Sequence, residues 1–132
     1  MRAFLAIDLP EDLRAQVAAL QAGLRAGRPV PEENLHLTLA FLDDQPQAML
    51  VALHEALNAL DCPGFDLELA GLDLFGGKRP RLLYLRVKPA PALLALHRSL
   101  KEAARRVGMD LPRTRFRPHV TLARFRHDMT EP

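Results

Sequence analysis

At 132 residues and 14.7 kDa the chain is one domain by size. With 48% hydrophobic and 26% charged residues it is globular in composition, which excludes a disordered chain, and no apolar run approaches a membrane span. The net charge of +2 conceals an asymmetry: residues 1–66 hold four basic against ten acidic side chains, a net of −6, and residues 67–132 hold fourteen against six, a net of +8.

Ala3 to Ile7 reads as a short buried strand, meeting Asp8, Pro10 and Glu11 too soon for a signal peptide. Pro10 opens a helix whose apolar stripe is Leu13, Val17, Leu20 and Leu24, ended by Gly27 and Pro29. Leu35 to Leu42 has the length of a strand. A second helix spans about Pro46 to Leu60, with Leu50, Leu53, Leu57 and Leu60 inward and Pro63-Gly64 as its stop. Phe65 to Phe75 alternates as a strand, Gly76-Gly77 turns, and Leu82 to Val87 is the next strand. Pro89 and Pro91 introduce a third helix, burying Leu93, Leu96, Leu100 and Val107, up to Gly108. A Pro- and Arg-rich loop over 109–117 leads to a last strand, His119 to Phe125.

The landmarks repeat. Pro10 and Pro89, Gly27 and Gly108, and His36 and His119 are separated by 79, 81 and 83 residues, and HLTLAF and HVTLAR share four of six letters. An internal duplication of strand–helix–strand units, about 2–42 and 81–125, predicts one bilobal α+β domain. Its two pseudo-symmetric lobes would be antiparallel sheets with helices on their outer faces and a central cleft. Strand alternation sets His36, Thr38 and Ala40 on one face and Leu35, Leu37, Leu39 and Phe41 on the core face. The same parity joins His119, Thr121 and Ala123, with Val120 and Leu122 opposite.

Two imidazoles and two hydroxyls suit in-line displacement at a phosphodiester. One ring takes a proton from the attacking oxygen, the other gives one to the leaving oxygen, and the threonines hold non-bridging oxygens. Glu32, Glu33, Asp43 and Asp44 around His36 favour the protonated acid there. Arg113, Arg115, Arg117 and Arg124 around His119 favour the neutral base. These arginines and Arg126, with Lys78, form a basic field suited to a phosphate-bearing strand. His54 and His97 read as surface or edge residues and His127 as part of a frayed tail. Phe41 and Phe75 read as core. No helical metal-ligand spacing exists, so no metal is expected, and Cys62 alone fits a reducing cytoplasm.

RAFLAIDLP, ENLHLTLAFL, LFGGKRPRLLYLRV and RPHVTLARF, in that order, resemble the two-histidine (2H) phosphoesterase superfamily. The resemblance is to its bacterial and archaeal RNA 2′,3′-cyclic phosphodiesterases, also called 2′-5′ RNA ligases. It implies a bilobal antiparallel-sheet fold and opening of a terminal 2′,3′-cyclic phosphate to a 2′-phosphate, with no cofactor and reversible ligation as the back reaction. It makes His36 and His119 catalytic and Thr38, Thr121 and Arg124 phosphate-binding; from the charge asymmetry, Lys78, Arg113, Arg115 and Arg117 are expected along the RNA backbone. Strand parity sets Arg124 with Val120, so a bulge or strand end is needed to aim it at the histidines. Pro29 stands where relatives often have Trp, and Asp43 where glycine is expected. The expected partners are RNA ends or small cyclic-phosphate nucleotides, with no membrane and a monomeric chain. The alternatives are a small-molecule cyclic phosphodiesterase and a non-catalytic RNA- or nucleotide-binding module.

Overall fold

The structure, a computed structural model, describes residues 1–24, 27–61, 64–76, 78–113 and 115–125. Cys62, Pro63, Gly77, Arg126 and His127, on which parts of the sequence reading rest, lie outside them. The strands are β1 (Arg2–Asp8), β2 (Arg28–Pro29), β3 (His36–Asp44), β4 (Leu69–Phe75), β5 (Leu82–Val87) and β6 (His119–Arg124). The helices are α1 (Glu11–Ala22), α2 (Gln47–Asn58) and α3 (Pro91–Arg106), with a 3-10 turn at Glu32–Asn34. The fold is α+β, and the β2–β6, β3–β6, β4–β5 and β5–β6 pairings are antiparallel.

The chain forms two compact units, each taking residues from both the N-terminal and the C-terminal half of the chain. The first comprises 1–6, 38–67 and 89–117. In it β1 lies beside β3, and α2 and α3 supply most of the apolar cluster of Leu42, Leu53, Ala103, Ala104 and Met109. Pro91 stands in the first turn of α3, where its missing N–H has no partner to lose, and Arg105 and Arg106 complement the carbonyl end of the helix. The N-terminal ammonium of Met1 donates to the Asp44 carboxylate, which holds that carboxyl below its ordinary range.

The second unit comprises 7–37, 68–88 and 118–132. Here β6 runs between β5 on one side and β2 with the start of β3 on the other, and β4 pairs with β5. Glu11 and Asp12 begin α1 with the sign that its free N–H groups favour. Its Val17 is buried, as are Leu35, Leu37, Leu83, Leu85, Val87, Val120 and Leu122 of the same unit.

Three apolar expectations are corrected. Leu20 is 41% exposed, because α1 buries only Val17 fully and its stripe is narrower than the leucine spacing implies. Phe41 is 66% exposed: the burial alternation of β3 breaks after Ala40, Leu42 takes the core position, and Phe41 stands out beside Phe4 at 6.4 Å between rings. Phe75 is half-buried on a sheet face against Tyr84 and His119, not in the core. The strand expected from Phe65 begins at Leu69. The two-residue β2 and the 3-10 turn fall in a stretch the sequence reading treated as loop.

Candidate active site

β3 and β6 are registered through Leu37 and Val120, the second residue of each motif copy. One step along this antiparallel register sets His36 opposite Thr121. His36 and His119 are then diagonal neighbours across the strand pair, with backbones about 7–8 Å apart. All three belong to the second unit; Thr38, two residues beyond His36 on β3, is counted with the first. His36, Thr38, His119 and Thr121 are half-buried, whereas Leu37, Leu39, Val120 and Leu122 between them are buried. The imidazoles and hydroxyls thus occupy the open face and the leucines and valine the core face of each strand.

His119 is positioned by its neighbours on β5 and β4. Tyr84, registered opposite Thr121, stacks on Phe75 with ring centroids 4.3 Å apart. The His119 ring meets both edge-on, at 5.2 Å from Tyr84 and 5.4 Å from Phe75. Arg86, opposite His119, turns its guanidinium to donate to the Ala70 carbonyl at 3.0 Å. An imidazole held edge-on by two rings has few orientations left, which is what a directional proton transfer requires.

Arg124 reaches the same face through a bulge. Tyr84 pairs with Thr121 but Leu83 pairs with Ala123, so Leu122 is an extra residue on β6. Leu122 and Ala123 are consecutively buried, and alternation resumes with Arg124 exposed, opposite Leu82. Leu82, Tyr84 and Arg86 share one side of β5, so Arg124 shares the side of His119 and Thr121. The bulge is fastened from outside: the Leu122 carbonyl accepts from Val30 N at 2.8 Å and from Gln21 Nε2 at 2.8 Å. Gln21 Nε2 also donates to the Val30 carbonyl at 2.6 Å.

Lys78 is exposed in the β4–β5 turn of the second unit; Arg113, Arg115 and Arg117 are exposed in the α3–β6 connection of the first. Arg113 lines a cavity of about 230 Å³ with Lys101, Arg105, Met109, Asp110 and Leu111. Nearby, His97 stacks on Phe116 at 4.0 Å, half-buried where a surface or edge position was expected. Burial, and then Lys101 and Arg98, push the His97 imidazole below its usual value. Among the described residues no three His, Cys, Asp or Glu side chains cluster as metal ligands, and no helix is long and apolar enough to cross a membrane. Gln21, Phe75 and Tyr84 are not singled out by the sequence as site residues. A glutamine on a helix carries no motif, and the two rings sit in strands that read as ordinary sheet.

The family model described as the 2′-5′ RNA ligase superfamily matches residues 9–131. The RNA 2′,3′-cyclic phosphodiesterase of Escherichia coli K12 is 38% identical over 93% of this chain, and that of Thermus thermophilus is 37% identical over 94%. The chain spans 71% and 68% of those two proteins. It spans 41% of an RNA 2′,3′-cyclic phosphodiesterase of Geobacillus stearothermophilus, 36% identical over 92% of this chain. Among solved structures, E. coli LigT in its apo form superposes with a TM-score of 0.81 at 35% identity, covering 93% of this chain and 71% of that one. LigT complexed with 3′-AMP gives 0.77 at 36% identity, covering 93% and 70%.

Proposed function

The chain belongs to the 2′-5′ RNA ligase superfamily, and from that premise we propose that it hydrolyses the terminal 2′,3′-cyclic phosphate of RNA to a 2′-phosphate. His119 takes a proton from the attacking water. The water oxygen bonds to phosphorus, the bond from phosphorus to O3′ breaks, and O3′ receives a proton from His36. Thr38 and Thr121 hold the non-bridging oxygens, and Arg124 binds phosphate. With a nucleotide 5′-hydroxyl attacking in place of water at the same phosphate, the same acid and base carry ligation. Lys78, Arg113, Arg115 and Arg117 serve the RNA backbone, and the chain works as a monomeric, bilobal, duplicated domain in the cytoplasm.

The observation that carries this reading is the pairing of Leu37 with Val120. A duplicated strand that meets its own copy at equivalent residues presents two like histidines to one ligand. The test is an oligoribonucleotide ending in 2′,3′-cyclic phosphate, incubated with the protein in excess chelator. A 2′-phosphate product is expected; a 3′-phosphate product, or an intact cyclic end, would overturn the reading.

A further inference from the structure

Two arginines stand side by side where β2 meets β6. Arg28 is registered opposite Arg124, and registered neighbours of an antiparallel pair project from the same face about 5 Å apart. Like charges so placed repel, and among the described residues neither guanidinium has a carboxylate within ion-pair distance. Both side chains are exposed.

The juxtaposition is enforced. Val30 N and Gln21 Nε2 tie the end of β2 to the Leu122 carbonyl. Gly27, at φ +69°, lets the chain approach so closely that a Cβ there would lie 2.8 Å from the Arg124 carbonyl and 3.0 Å from the Phe125 ring. A glycine, a side-chain amide and a two-residue strand therefore bring one arginine beside another. A bound anion converts that repulsion into a fork of charge-assisted hydrogen bonds.

The bulge sets Arg124 on the face of His119 and Thr121, and registration sets Arg28 there with it. Because of the bulge, Arg124 and Thr121 stand opposite Leu82 and Tyr84, two strand steps or about 7 Å apart along the sheet. That is a step away from the reacting phosphate and along the strand that carries the second motif.

Resting on the activity proposed above, we infer that Arg28 and Arg124 together hold the phosphodiester joining the terminal nucleotide of the RNA to the one before it. Arg28 is then a specificity residue: it separates an RNA end, which has that phosphodiester, from a cyclic mononucleotide, which lacks it.

The test compares a nucleoside 2′,3′-cyclic monophosphate with a pentaribonucleotide ending in 2′,3′-cyclic phosphate, on wild type, Arg28→Ala and Arg28→Lys. Arg28→Ala is expected to raise KM for the pentamer about tenfold more than for the monomer, by removing a charged bidentate contact. The fall of log kcat/KM with log salt for the pentamer should flatten by about one contact between about 50 and 200 mM. Arg28→Lys, which keeps the charge and loses the fork, should keep the salt dependence and recover part of the KM; it carries the test alone if Arg28→Ala does not fold. An equal change on both substrates, or unchanged KM for the pentamer, would overturn the inference with the activity intact. Wild type inert on both substrates would remove the activity and this inference with it.

Discussion

The two motif copies begin alike and end differently. HLTLAF on β3 and HVTLAR on β6 bury their second and fourth residues and half-bury the histidine and threonine. In both copies that sixth residue is turned out, as Phe41 on β3 and as Arg124 on β6. The fifth residue keeps the alternation on β3 and breaks it on β6, where the bulge at Leu122 re-aims the sixth position. On β6 the sixth residue brings a cation to the face of His119; on β3 it brings an aromatic ring beside Phe4. The likeness extends through the histidine and threonine and stops at the sixth residue.

The deepest equivalence is between the histidines, and breaking it gives the largest effect. His36→Ala and His119→Ala should each lower kcat by about 10²–10⁴-fold with the circular dichroism spectrum preserved. The double mutant should lose little more, since acid and base serve one step. Wild-type turnover in either single mutant would remove the two-histidine mechanism.

Arg124→Phe makes the second copy end like the first. Losing a hydrogen-bonded charge worth about 1.5–3 kcal/mol predicts a fall in kcat/KM of about 10–100-fold on the pentamer. Gln21→Leu should reproduce part of that loss by slackening the bulge, and should add nothing in the Arg124→Phe background. Full additivity in steady-state kinetics would show that Gln21 acts on stability alone.

A smaller effect separates the strand ends. Asp43 follows the first copy in the left-handed region, at φ +58°, where the family resemblance calls for glycine. Asp43→Gly relieves that conformation and should stabilise by about 1 kcal/mol, a rise in Tm of about 4 °C by calorimetry. The equivalent position after the second copy, Arg126, lies outside the described residues.

The smallest expected effect concerns the segment that leads into β6. The folded chain holds His97 below its usual value near 6.5, so the unfolded chain binds more protons there and stability rises with pH. The contribution is complete above about pH 6.5 and falls as pH drops through the lowered value. Urea denaturation midpoints at pH 7.5 and 5.5 should differ less in His97→Phe than in wild type; an equal difference would free His97 of any part in it.

Much of this was legible beforehand because the elements are long and punctuated. Prolines open the helices, Gly108 at φ +101° follows α3, and the leucines of the third helix follow a helical period into a buried face. The motif repeat singles out His36, Thr38, His119 and Thr121, and parity sets each histidine with its own threonine on the half-buried side of its strand, as the burial of β3 and β6 shows. What escaped lies where two residues decide the outcome. Parity carried past Leu122 and Ala40 misdirects Arg124 and Phe41, because adjacent apolar residues such as Leu122 and Ala123 fit an alternating strand or a bulge equally well until a neighbour fixes the register. β2 is too short, and contains a proline, to show any period at all. Its position depends on Gln21 and Gly27, whose contacts become visible only once the chain has folded back.

β6 is central in space and late in sequence. Its partners begin at Arg28, Leu37 and Leu82, so two of its three ladders close loops of more than 80 residues before any contact rewards them. β4 and β5 can form as a hairpin on their own, but the bulge, the orientation of the second histidine and the arginine pair all wait for β6 to enter between β5 and β3. Assembly of this unit is therefore set by a slow, non-local insertion, and a chain caught before it lacks the pairing on which the proposed site depends.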